Sequence, residues 1–139
     1  MIRALIVDDE PAAAGIIRYF INMSHLPIEI VGEARDGAAA LGLLERQNPA
    51  LVFLDIQMPN MNGYQAAEAI RKMADPAKAG TPIVAMTANA FEEDKQNAYA
   101  AGMDAHLAKP INIELLCLTL TKLMSERDCA RDPKPTKGE

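Results

Sequence analysis

Short apolar runs and stretches of helical period alternate along the chain. Ile2 to Val7 is apolar apart from Arg3 and stops at Asp8-Asp9-Glu10, which predicts a buried strand ending in an acidic loop. Pro11 stands where a first helical turn accepts it. Ala13, Ile16 or Ile17, Phe20 and Met23 then recur at spacings of three and four, until Pro27 breaks the helix and Ile28-Glu29-Ile30-Val31 opens a second strand. Asp36 suits the N-cap of a second helix with Leu41 and Leu44 on its inner face. Leu51-Val52-Phe53-Leu54 is the most continuously apolar strand, and Met58 to Gly63, with its Pro and Asn-Gly, predicts a turn. Ala66, Ile70 and Met73 carry a third helix, and Ile83-Val84-Ala85-Met86 a fourth strand. Phe91 to Ala101 reads as a helix with only small residues, Ala98 and Ala101, to turn inward; Gly102 ends it. A short fifth strand over 105–108 meets Lys109-Pro110, and Ile113, Leu116, Leu120 and Leu123 mark a final amphipathic helix.

Five βα units in about 125 residues predict an α/β fold built on a doubly wound, five-stranded parallel sheet. Strands one, three and four are apolar enough to be covered on both faces. Strand two carries Glu29 and Glu33 and strand five carries His106, so these two belong at the edges, in the order 2-1-3-4-5. That order places a switch point between strands one and three, with the functional crevice at the strands' C-terminal ends. After Met124 the chain turns polar, with Pro133 and Pro135. The expected division is one domain over 1–125 and a tail or severed linker over 126–139.

Half of the 139 residues are apolar, enough for a core without disulfide or metal support. Cys117 and Cys129 make no CxxC, and Cys117, inside a leucine-rich helix, is expected to be a buried structural thiol. No run approaches the ~20 apolar residues that cross a bilayer, and the opening apolar run is too short for a secretory signal. A cytoplasmic location without membrane contact is therefore expected. A net charge of −5 argues against a nucleic-acid surface on this chain.

On this scaffold Asp8 and Asp9 follow strand one, Asp55 ends strand three, Thr87 ends strand four and Lys109 follows strand five. All five fall on the same rim of the sheet. Each has an ordinary structural explanation: an acidic pair at a helix start answers the helix dipole, Asp55 could cap a strand end, Thr87 could cap a helix, and Lys109 could be a solvated loop charge. Their convergence points instead to chemistry. Three carboxylates close together raise one another's pKa unless a cation joins them, and an all-oxygen, partly hydrated site of this kind suits Mg²⁺. The ion and Lys109 together would neutralise a phosphoryl group arriving on Asp55, with the Thr87 hydroxyl available to hydrogen-bond it.

The motifs Leu5-Ile6-Val7-Asp8-Asp9-Glu10, the run from Leu51 to Gly63 (LVFLDIQMPNMNG), Met86-Thr87-Ala88 and Leu107-Ala108-Lys109-Pro110 resemble, in this order, the receiver domain of two-component response regulators. The stretch from Pro82 to Ile111 looks most like receivers attached to hybrid histidine kinases. The resemblance covers residues 1 to about 125 and implies the flavodoxin-like receiver fold. It implies a phosphoacceptor switch in a phosphorelay, with Asp55 taking phosphate from a phosphohistidine on a histidine kinase or histidine phosphotransfer domain. Asp9, Asp55 and the backbone carbonyl of Gln57 would bind Mg²⁺ directly and Asp8 mainly through water. Thr87, Ala88, Lys109 and His106 would form the phosphoryl-binding and switch set, and the bond to Pro110 would be cis. Gln57 and Asn89, two residues past Asp55 and Thr87, would tune the lifetime of the phosphorylated state. One departure is plain: the family usually has Tyr or Phe three residues before the lysine, and here that residue is His106.

Two other functions compete. A Mg²⁺-dependent phosphohydrolase of the haloacid-dehalogenase type places an acid–base Asp two residues after its nucleophile, where this chain has Gln57. A pseudo-receiver, a binding module without phosphorylation, normally lacks one of the acidic or lysine residues, and all are present here. The expected protein is a signalling receiver, not a turnover enzyme. The cognate kinase and the output partner are not legible in the residues.

Overall fold

Strands β1 (Ile2–Val7), β2 (Ile28–Ala34), β3 (Leu51–Asp55), β4 (Ile83–Thr87) and β5 (Ala105–Ala108) lie parallel in one sheet, in the order β2-β1-β3-β4-β5. They alternate with α1 (Pro11–Ser24), α2 (Gly37–Gln47), α3 (Gly63–Arg71), a single-turn α4 (Pro76–Ala79), α5 (Glu92–Ala100) and α6 (Ile113–Arg131). The computed structural model describes residues 2–58, 62–87, 92–109 and 111–131, with the side chains of α6 described through Leu123.

The period of two in the central strands divides the core into two layers. Leu5, Val7, Val52, Leu54 and Ala85 face α2, α3 and α5, meeting Ala40, Leu44, Ala66, Ile70 and Ala98. Their neighbours Ala4, Ile6, Phe53, Val84 and Met86 face α1 and α6, meeting Ala14, Ile17, Leu116 and Leu120. Strands one, three and four are apolar on both faces because both faces are covered, as expected of the middle of a parallel sheet. Strands two and five are the edges, as their charged and polar residues required.

Local signals set the helix ends. The Asp36 carboxylate accepts from the Ala39 N–H at 2.9 Å, and Asn62 and Gln65 form a reciprocal capping box at the start of α3. Asn112 caps α6 by accepting from the N–H groups of Glu114 and Leu115. Gly102 follows α5 at φ +101°, a left-handed position that favours glycine.

Several details differ from the sequence reading. Helix α4 was not expected; its signal is local, with Pro76 in the first turn and Asp75 accepting from the Ala77 N–H. Leu41 and Met73 only flank the core that Leu44 and Ile70 enter. Cys117 is half-buried rather than buried, because the inward stripe of α6 runs through Leu116, Leu120 and Leu123 and leaves it on the flank. Helix α6 continues to Arg131, past the expected start of a polar tail at 126. Extending a formed helix is easy through good helix formers such as Glu126, Arg127 and Ala130.

Candidate functional site

The β1–α1 loop brings Asp8 and Asp9 beside the end of β3, where Asp55 is the last strand residue. Carboxylate oxygens of Asp8, Asp9 and Asp55 all lie within 4.8 Å of one another. Asp8 and Asp55 are buried and Asp9 is exposed. The Lys109 ammonium enters this cluster from the loop after β5, 2.9 Å from Asp8 Oδ2, 3.5 Å from Asp55 Oδ2 and 3.8 Å from Glu10 Oε1.

Asp8 and Asp9 are not equivalent. Asp8 Oδ1 accepts from the Glu10 N–H at 2.9 Å, and its Oδ2 accepts from Lys109. Both Asp8 oxygens are therefore committed within the protein, whereas Asp9 stands exposed at the mouth of the cluster. Asp55 Oδ1 accepts from the Gln57 N–H at 3.2 Å.

The chain just past Asp55 is clamped by main-chain hydrogen bonds. The Ile56 N–H donates to Met86 O at 2.9 Å and the Gly63 N–H to Ile56 O at 2.8 Å. A Cβ at Gly63 would lie 2.5 Å from Asp55 O and 2.7 Å from Ile56 Cα, so only glycine lets α3 start this close to Asp55. Thr87 is buried at the end of β4, in register with Ala108, and its carbonyl accepts from the Lys109 N–H at 2.7 Å. His106 lies two residues back on β5, paired with Ala85. Ala88, Asn89 and Pro110 lie outside the described residues, so the expectations placed on them have no geometry here. Two residues that sequence reasoning did not single out help to hold the cluster. Glu10 fixes Asp8 through its amide, and Arg35 Nη1 donates to Asp8 O at 3.3 Å. Glu10 was at least adjacent to the acidic pair, while nothing local marked Arg35, which arrives from the end of β2.

The electrostatics follow from crowding. Burial, and next the negative charge of Asp8, push the Asp55 carboxyl from its ordinary 3.8 up to about 7, against the pull of Lys109. Partial burial pulls the Lys109 ammonium down, but its hydrogen bond to Asp8 and the charges of Asp55, Asp8 and Glu10 outweigh this and hold it above its ordinary value. An excess of carboxylate over cation, on hard oxygen donors with one exposed member, fits Mg²⁺.

The sign of the linkage can be tested. Between about pH 4 and 7 folded Asp55 holds a proton that the unfolded chain has released, so its contribution to stability falls as pH rises through that window. Mg²⁺ requires the ionised carboxylate. Saturating Mg²⁺ is therefore expected to raise the melting temperature more at pH 8 than at pH 5, and an equal increment at both would contradict this account of Asp55.

An open groove of about 360 Å³ extends from Asp9 and Lys109 along Ile16 and Ile111. A doubly wound sheet with a buried carboxylate at its switch point, two more acids and a lysine around it puts hard oxygen donors and a counter-cation where a divalent ion and an anionic group can meet. Comparison with known proteins agrees. Residues 4–121 match the family model of the response regulator receiver domain. The chain is 36% identical over 121 residues to the sensor protein GacS of Pseudomonas syringae pv. syringae, covering 86% of this chain and 13% of that protein. It is 33% identical over 123 residues to the sensor histidine kinase RcsC of Escherichia coli K12, covering 88% and 12%. It thus spans about an eighth of the length of these two relatives. Among solved structures, the receiver domain of AraT, a response regulator from Geobacillus stearothermophilus, superposes with a TM-score of 0.80 at 26% identity, covering 94% of this chain and 98% of that one. The chemotaxis protein CheY4 of Vibrio cholerae gives 0.75 at 28% identity, covering 88% and 98%. The chain belongs to the response regulator receiver domain family and is a phosphoacceptor module of two-component phosphorelay signalling. Among the described residues no helix is long and apolar enough to cross a membrane.

Proposed function

We propose that Asp55 accepts a phosphoryl group from a phosphohistidine on a histidine kinase or histidine phosphotransfer domain, in a Mg²⁺-dependent reaction that resets the conformation of this domain. The observation that carries the reading is the convergence of Asp8, Asp9, Asp55 and Lys109 at one buried strand end.

A carboxylate oxygen of Asp55 attacks phosphorus as the P–N bond to the donor breaks, and the departing electron pair returns to the imidazole, which takes up a proton. The transition state spreads charge over the phosphoryl oxygens, so catalysis here is positioning and neutralisation. Gln57 N–H orients Asp55, and Lys109 lies 3.5 Å from Asp55 Oδ2, within reach of a group bonded there. Asp9, Asp55 and the main-chain carbonyl of Gln57 are the groups to hold Mg²⁺ directly, with Asp8 acting through water. The ion, when bound, supplies further charge neutralisation on the phosphoryl oxygens. Thr87, at the end of β4, and Ala88, next in the chain, complete the phosphoryl-binding set in this reading. Gln57 and Asn89 carry amides, which do not act as general bases, so the phosphoaspartate is expected to outlast an enzymic turnover. The same Gln57 argues for a signalling receiver rather than a phosphatase. A domain over residues 1–125 is sufficient for all of this, and its setting is cytoplasmic, where ATP supplies the kinase that loads the relay.

Incubation with a small acyl phosphate, with Mg²⁺ or with excess chelator, tests the reading by intact mass. One phosphoryl adduct per chain is expected with Mg²⁺, and little without it. An equal adduct under chelation would remove the metal from the reaction. Continuous release of phosphate from an aryl phosphate would make the chain an enzyme instead.

A further inference from the structure

The Asp9 carboxylate is exposed, and among the described residues it accepts no hydrogen bond. Its aim is therefore set by the backbone that carries it. Three hydrogen bonds frame that backbone. The Asp8 N–H donates to Ala34 O at 3.0 Å, and the Glu10 N–H donates to Asp8 Oδ1 at 2.9 Å. The third runs from Arg35 Nη1 to Asp8 O at 3.3 Å. Only this last one falls on the peptide that joins Asp8 to Asp9. Glu10, the N-cap of α1, adds no capping bond through its own side chain.

Arg35 is itself held in place. Its Nη2 donates to Glu33 Oε1 at 3.0 Å, and the other oxygen of Glu33 accepts from Arg18 Nε, midway along α1. The hydrogen bond from Arg18 holds the Glu33 carboxyl below its ordinary pKa; burial opposes this, and Arg35 adds to it. Glu33 therefore stays an anion near neutral pH. A continuous tie thus runs from α1 through Glu33 and Arg35 to the main chain just ahead of Asp9. The planar guanidinium suits this task, because one rigid fork reaches two acceptors together. As a half-exposed ion pair, Arg35 with Glu33 would contribute little to stability. Its contact with Asp8 O gives it a different role.

We propose that Arg35 is a positioning residue for the divalent-ion site: by holding the Asp8 carbonyl it fixes the peptide from which Asp9 reaches the ion. The inference rests on the reading of Asp9 as a direct Mg²⁺ ligand. Its sign sets it apart from a simple charge effect. Removing a cation from beside three carboxylates should, by Coulomb's law alone, tighten the binding of another cation. Losing the hold on Asp9 should weaken it, because Mg²⁺ demands near-octahedral geometry and outer partners of its ligands contribute to affinity.

The test is calorimetric titration of Mg²⁺ into the full chain as wild type, Arg35→Ala, Asp9→Asn and the double variant. Arg35→Ala is expected to weaken Mg²⁺ binding by about three- to tenfold, while the metal-free melting temperature moves by no more than a few degrees, as for a half-exposed pair. Arg35→Lys keeps the charge but cannot fork to Glu33 and Asp8 at once, so its affinity should fall between wild type and Arg35→Ala. On the Asp9→Asn background, Arg35→Ala should no longer weaken binding, because the ligand it positions is gone. Unchanged or tighter binding in Arg35→Ala, beside a weakened Asp9→Asn, would overturn the positioning role and leave the metal assignment standing. So would an equal loss from Arg35→Ala on both backgrounds, since Arg35 would then act other than through Asp9. Wild-type affinity in Asp9→Asn would overturn both.

Discussion

Asp9→Asn is expected to weaken Mg²⁺ binding by roughly tenfold or more, and Asp8→Asn by only a few-fold. Both substitutions remove one negative charge from the same cluster, so a purely Coulombic account predicts similar losses. The geometry separates them. Each Asp8 oxygen already accepts a hydrogen bond, one from the Glu10 N–H and one from Lys109. Asp9 is the exposed member, able to offer an oxygen to an arriving ion without breaking a protein contact. Mg²⁺ demands near-octahedral geometry, so losing a direct carboxylate costs more than losing one reached through water. Calorimetric titration of the two variants decides the matter, and a weaker Asp8→Asn would reverse the roles.

Arg71→Ala is expected to lower stability by about 2–4 kcal/mol, a fall in melting temperature of roughly 10 °C for a domain of this size. Its guanidinium donates to Gly102 O, Ala79 O and Thr81 O at 2.7–2.8 Å, and to Asp104 Oδ2 at 2.8 Å. Asp104 Oδ2 in turn accepts from the Ile83 N–H at 2.9 Å. One side chain thus ties the end of α3 to the α4 turn, the entry to β4 and the α5–β5 turn. Its removal strips three carbonyls and a carboxylate of a charged donor at once. Partial exposure of the pair, 24% for Arg71 and 43% for Asp104, lets water recover some of the loss. Arg71→Lys should restore only part, because one ammonium cannot span acceptors that a planar fork reaches together. Thermal or denaturant unfolding measures both variants, and a change below about 1 kcal/mol in Arg71→Ala would contradict the account.

The sheet was legible because its signals are local and repeated. Leu51-Val52-Phe53-Leu54 has no polar interruption, which only a strand covered on both faces tolerates, and Glu29 and His106 marked the edges. The rim residues were legible because a parallel sheet brings every strand's C-terminal end to one side, so residues far apart in sequence had to converge. What stayed hidden depends on partners remote in sequence. Arg71 is an unremarkable helix residue until Gly102 and Asp104 fold against it, 31 and 33 residues away. Arg35 meets Asp8 O across 27 residues. The division of labour between Asp8 and Asp9 hangs on which oxygens Glu10 and Lys109 occupy. The half-buried Cys117 was misplaced because a leucine-rich helix does not state which flank faces in; Leu115 and Leu118 are exposed on the same helix.

Asp55, and no other side chain, is expected to take the phosphoryl group. Wild type and Asp55→Asn, each incubated with a small acyl phosphate and Mg²⁺, can be compared by intact mass and then by peptide mapping. The expected result is a single adduct on the wild-type peptide that carries Asp55, labile in base as an acyl phosphate must be, with no adduct on the variant. A persistent adduct of equal yield on Asp55→Asn would contradict the assignment and move the acceptor to another residue.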